Sequence, residues 1–153
     1  MSFTHGFQPD VTTLFLPGLR LGEVRTAREY VSLVLRAEPA DTHCTAALLT
    51  SELVTNALIH GDVRNTACPR TGVLARRRPL HVTVELLAAQ VCVLVCGAGS
   101  ARPRIAPKQA LAWDSSGRGL ALVAALSAAW GTHGDTASRT VWFALDRTAT
   151  AAA

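Results

Sequence analysis

The stretch Ser51-Glu52-Leu53-Val54-Thr55-Asn56-Ala57-Leu58-Ile59-His60-Gly61 reads as the second half of an amphipathic helix. Pro39 breaks whatever precedes that helix, Asp41 is its expected N-cap, and Gly61 stops it near His60. Ala46, Leu49, Leu53, Ala57 and Ile59 recur at spacings that let one side face a core. Glu52 and Asn56 stand four residues apart, on one face and one turn from each other. A carboxylate and an amide oxygen so placed can address a hard cation and its water shell, or a hydroxyl proton. Alone, the same pair would equally suit a solvated helix face, so the neighbouring segments have to decide.

Towards the N-terminus, VTTLFL (11–16) reads as a short strand closed by Pro17-Gly18. From Leu21 to Arg36, the positions Leu21, Val24, Ala27, Val31 and Val34 have near-helical spacing. Towards the C-terminus, 62–79 is arginine-rich, holds two prolines and lacks clean periodicity, which reads as a surface insertion. LHVTVELL (80–87) and VCVLVC (91–96) then flank a short Ala-Ala-Gln link, as an antiparallel hairpin would. Residues 97–116 read as a long loop, a length that in a compact domain goes with function. Gly117 is expected to open a third helix reaching Ala129. Two strands, near 130–133 and 139–146, join across Gly134-Asp135. Residues 1–9 and 148–153 read as a flexible N-terminus and a frayed tail around a domain spanning 10–147. The order β-α-α-β-β-loop-α-β-β predicts an α+β two-layer sandwich, a mixed and mostly antiparallel sheet with helices on one face. A doubly wound fold would need strict strand–helix alternation, which is absent.

Composition narrows the function classes. With 153 residues, 49% of them hydrophobic, the chain can bury one sizeable core, and 17% charged residues is too few for a disordered chain. The apolar runs 91–98 and 120–130 fall short of the roughly 18–20 residues that a bilayer span requires, so no membrane association is expected. MSFTHGFQPD lacks a basic stretch followed by an apolar run, which points to the cytoplasm. The net charge of +4 rests on fourteen arginines and one lysine, and Arg76, Arg77 and Arg78 form the one basic run. No aromatic residues interleave with it, so it reads as a solvated surface able to steer an acidic protein partner, with no direct nucleic-acid binding expected. Cysteines at 44, 68, 92 and 96 form no CxxC pair. Cys92 and Cys96 share one side of a strand and read as small core residues in a reducing compartment.

Two more segments carry chemistry. In SSGRGLALV (115–123) a glycine-rich turn runs into a helix, exposing free N–H groups and the positive end of the helix dipole. Gly117 and Gly119 permit close backbone approach there, and Arg118 adds a mobile cation, which together suit phosphate. In VLVCGAGSARP (93–103) the run Gly97-Ala98-Gly99 is either the floor of a flat ligand pocket or an ordinary strand exit.

The order and spacing of these segments resemble the GHKL (Bergerat) ATP-binding fold. More narrowly, the chain resembles the single-domain anti-sigma-factor serine kinases and related regulators of actinomycetes. SELVTNALIHG is similar to their N-box, SSGRGLALV to their second glycine box, and WGTH with SRTVWFAL to their closing hairpin, over residues 10–147. The resemblance implies that Asn56 coordinates the Mg2+ bridging the phosphates of ATP and that Glu52 is the general base toward the accepting serine. It implies that Gly117 and Gly119 cradle phosphate, with backbone contacts from Arg118 and Leu120. Gly97 and Gly99 would form the first glycine box, and 97–116 the ATP lid. A sigma factor, a serine-bearing anti-anti-sigma protein, or both would be partners, and a homodimer through the sheet and first helix is implied.

One position departs from that pattern. The family's first glycine box opens on an aspartate that accepts a hydrogen bond from the adenine amino group, and Gly97 stands there. Losing a charged acceptor at a buried amine costs about 1.5–3 kcal/mol, roughly ten- to a hundredfold in affinity. Asp114 lies too far along the loop to replace it. The alternative is therefore a non-catalytic protein-binding module of the same fold, with weak or lost ATP binding.

Overall fold

The computed structural model describes residues 10–18, 20–60, 79–99 and 115–147. Most of the insertion at 62–79, most of the loop at 97–116, both termini, Gly61, Cys68, Arg76 to Arg78 and Asp114 lie outside them. The elements are β1 (Asp10–Leu16), α1 (Glu23–Val34), α2 (Ala40–His60), β2 (Leu80–Leu86), β3 (Gln90–Ala98), α3 (Ser115–Leu126), β4 (Ala129–Gly134) and β5 (Ser138–Asp146). Their order is the expected one, and the fold is an α+β two-layer sandwich.

The five strands form one sheet in the order β1-β2-β3-β5-β4. Every described pairing is antiparallel, so the mixed character expected of the sheet is not found among the described residues. The topology explains why. The crossover through α3 returns to the sheet edge as a hairpin, and its second arm β5, not its first, lies beside β3.

Alternation along the strands separates two faces. Leu14, Val82, Val95 and Val141 form one cross-strand row, and Val84, Val93 and Phe143 the next. Phe143, Val82, Val84, Val91 and Val93 are fully buried against Ala27, Val31 and Leu35 near or in α1, Leu49, Leu53 and Val54 in α2, and Val123 in α3. The helices therefore cover this face. On the opposite face Phe15 is 75% exposed and tilts against His81, with ring centroids 5.5 Å apart. Cys92 and Cys96 lie in phase with that outer face and are half-buried, which corrects their expected place in the core. Burial and the facing Glu85 carboxylate push the Cys92 thiol up from its ordinary range.

Several boundaries differ from expectation for local reasons. α2 begins one residue earlier than Asp41, because the Pro39 carbonyl accepts the first helical bond from the His43 N–H at 3.1 Å. Asp41 sits inside the first turn, where its charge favours the helix dipole. Ile59 is 51% exposed, and Leu58 takes the inward position in its place. Leu21 precedes α1 and is exposed, while Leu35 closes that helix inside the core. α3 opens at Ser115, so Gly117 and Gly119 lie within its first turns, and the Ser127 hydroxyl bonded to the Val123 carbonyl at 2.6 Å follows its end at Leu126. Among the described residues no helix is long and apolar enough to cross a membrane.

Candidate functional site

Glu52 and Asn56 emerge half-buried from α2 on the side that meets α3. The contact point is Gly119, which is buried. A Cβ added to Gly119 would lie 2.7 Å from Glu52 Oε2 and 3.4 Å from Asn56 Nδ2. The absence of a side chain at 119 thus lets the first turns of α3 close onto both polar groups at once. Arg118 is exposed beside them, whereas Leu120 turns its side chain toward the core. Positions 63 apart in sequence, 56 and 119, and 67 apart, 52 and 119, are thereby brought together.

The first glycine box divides into two roles. β3 runs through Ala98, so Gly97 is not a turn residue but a ladder position facing Arg139 of β5. Its missing side chain would point at Ala57 Cβ and Leu80 Cβ, at 3.5 and 3.6 Å, which is ordinary van der Waals spacing. Neither backbone shape nor crowding therefore demands glycine at 97. Gly99 is the opposite case. An added Cβ would strike Asp135 O and lie 2.6 Å from Thr136 O, in the β4–β5 turn. Gly99 also donates its N–H to the Ala137 carbonyl at 3.2 Å. That turn is itself held by Asp135, whose Oδ1 accepts from the N–H groups of Ala137 and Ser138 at 2.7 and 3.0 Å. The bonds from Ser138 and then Ala137 hold the Asp135 carboxyl below its usual range. Gly99→Ala is accordingly expected to destabilise the fold by about 1–3 kcal/mol, the usual overpacking cost, seen as a lowered Tm in thermal unfolding, while Gly97→Ala leaves Tm nearly unchanged.

Two polar residues at this end were not singled out from the sequence. Arg139 pairs with Gly97 on one side and Gly134 on the other, and Thr132 pairs with Val141. Both are in phase with Val141 and Phe143, so their side chains rise on the helix-covered face. Arg139 Nε and Thr132 Oγ1 are buried without a hydrogen-bond partner among the described residues. The signal was present in SRTVWFAL, where Arg139 stands two residues before Val141 in the apolar phase of the strand.

These residues test what the resemblance implies. Asn56, with Glu52 beside it and the glycine-bearing start of α3 opposite, suits Mg2+ and phosphate, because Mg2+ is held by few protein groups plus phosphate oxygens. Among the described residues no group of three or more His, Cys, Asp or Glu that could hold a metal ion occurs. The adenine end does not fit. At Gly97 no side-chain acceptor meets an amino group, and the unpartnered atom nearby in the ladder is a donor, Arg139 Nε. Compared with known proteins, the chain matches no family model and no curated relative.

Proposed function

We propose that this chain is a regulatory domain of the anti-sigma type that holds a magnesium–nucleoside triphosphate between α2 and α3, for which the resemblance implies ATP. The observation that carries the reading is the packing of Gly119 onto Glu52 and Asn56. Those are the residues that the resemblance assigns to the base, the metal and the phosphates, and they come from separate segments of the chain. Bound there, a triphosphate supplies a transferable phosphoryl group. Asn56 orients the cation through its amide oxygen, and the exposed Arg118 offsets phosphate charge. Glu52 accepts the proton of an incoming serine hydroxyl, which makes the domain a serine kinase acting on an anti-anti-sigma partner. A sigma factor is the second partner of this reading, and a homodimer through the sheet and first helix its oligomeric form.

Gly97 favours a second reading, a non-catalytic module of the same fold that sequesters its partner with weak or lost ATP binding. Titrating Mg-ATP against the purified chain separates the two. The kinase reading expects a thermal shift at millimolar Mg-ATP and transfer of phosphate to a serine-bearing protein. Neither a shift nor transfer, with Mg-ATP or with any other magnesium–nucleoside triphosphate, would leave the binding module.

A further inference from the structure

The polarity of the base-reading end differs from what an adenine requires. Adenine presents an amino donor at position 6 and needs an acceptor. Gly97 supplies no side-chain acceptor, and its neighbour across the β3–β5 ladder is Arg139. The arginine lies on the same sheet face as the side chain that Gly97 lacks, the face toward Ala57 of α2. Its Nε carries a hydrogen that no described group accepts, although the atom is buried. Buried polar groups in folded proteins are almost always paired, so one left over on the helix-covered face beside Gly97 calls for an acceptor from outside the chain. One row further along β4 and β5, the Thr132 hydroxyl is buried and unpaired as well. The carboxylate of Asp135, near enough for the Arg139 charge to act on it, spends its hydrogen bonds on the turn N–H groups.

We propose that this end of the site takes a purine with a carbonyl oxygen at position 6, hypoxanthine or guanine, in place of adenine. The inference rests on the magnesium–triphosphate reading of the α2–α3 cleft and changes the base that goes with it. Arg139 Nε–H donates to the 6-oxo oxygen, and Thr132 supplies a second polar group beside it. An adenine amino group at the same place meets a cation, donor against donor. A site that pairs one purine and leaves its own donor unpaired with the other discriminates strongly between them.

The test is an equilibrium titration of the full chain with Mg2+ and ITP, GTP, ATP or inorganic tripolyphosphate in turn. ITP is the cleanest probe, because it carries the 6-oxo group without the extra amino group of guanine. The expected result is ITP binding at least about tenfold more tightly than ATP, the scale of one hydrogen bond to a charged donor. Arg139→Met, which keeps an apolar stem of similar length, should bring the ITP-to-ATP ratio toward one, and Thr132→Val should reduce it. Because the ratio is read first in the unaltered chain, misfolding of a variant does not protect the proposal. ATP binding as tightly as ITP, or all nucleotides binding no better than tripolyphosphate, overturns the base assignment and leaves the phosphate site standing. Failure of tripolyphosphate and every nucleotide to bind overturns both.

Discussion

Glu52→Ala is expected to lower phosphate transfer to the serine partner by about 10²–10⁴-fold, the usual contribution of a positioned general base. The same variant should retain most of its affinity for magnesium–triphosphate. The separation follows from the roles that the resemblance implies: Glu52 and Asn56 both face Gly119, the carboxylate being given the serine proton and the amide oxygen the cation. Asn56→Ala should therefore lose binding and transfer together. Glu52→Gln should resemble Glu52→Ala, since the amide keeps the shape and cannot accept the serine proton. The measurement is transfer of labelled γ-phosphate to the serine-bearing protein, with the triphosphate that the chain binds, set beside a binding titration for each variant. Equal transfer by the unaltered chain and Glu52→Ala would remove Glu52 from its role and favour the non-catalytic module.

Arg147→Ala is expected to destabilise the fold by about 3 kcal/mol or more, the scale for removing one member of a buried ion pair. Arg147 Nη2 and Nε donate to the two carboxylate oxygens of Glu38 at 2.6 and 3.1 Å, and Nη1 donates to the Leu87 carbonyl at 2.7 Å. The Glu38 side chain is only 8% exposed, so removal of its partner strands a charge that water barely reaches. This one guanidinium joins the end of β5 to the α1–α2 connection and the β2–β3 turn, where the Arg147 N–H also bonds the Ala89 carbonyl at 2.8 Å. By contrast, the Arg25–Glu29 pair on α1 is well exposed on both sides, and Arg25→Ala should change stability by less than about 1 kcal/mol. The double variant Glu38→Leu with Arg147→Met should recover much of the Arg147→Ala loss, because the desolvation cost disappears with both charges. Urea denaturation midpoints of the single and double variants check this. A double variant no more stable than Arg147→Ala would mean that the carbonyl bond to Leu87, not the stranded carboxylate, carries the effect.

The fold was legible where a residue's environment follows from its near neighbours in sequence. Val82 and Val84 alternate with His81, Thr83 and Glu85, so the inward face of β2 follows from that period, whereas VCVLVC is apolar on both faces and the inward side of β3 does not. Helix positions were legible in the same way, although their ends were not. Asp41 has the chemistry of an N-cap, but the Pro39 carbonyl two residues before it had already started the helix. Cys92 and Cys96 were correctly assigned to one side of a strand, yet which side was core depended on the register with Val84 and Phe143 across the sheet. The pairing of Glu52 with Asn56 was visible as a four-residue spacing. Their meeting with Gly119 was not derivable from spacing, because it depends on how α3 crosses α2, and it was anticipated only through the resemblance of the two motifs. Gly97 and Gly99 looked alike in the sequence and differ in the structure: one leaves space empty, while the other is required by the approach of the Asp135–Thr136 turn. Arg139 escaped notice because a single charged residue at the end of an apolar strand resembles an ordinary surface terminus.

The central claim is that Asn56 and the start of α3 hold a magnesium-bound phosphate chain. Isothermal titration of the purified chain with tripolyphosphate, with and without Mg2+, tests it most directly, since no base contributes. The account predicts binding that requires Mg2+ and is lost in Asn56→Ala with the fold intact. Mg2+-independent binding, or unchanged binding by Asn56→Ala, would contradict it.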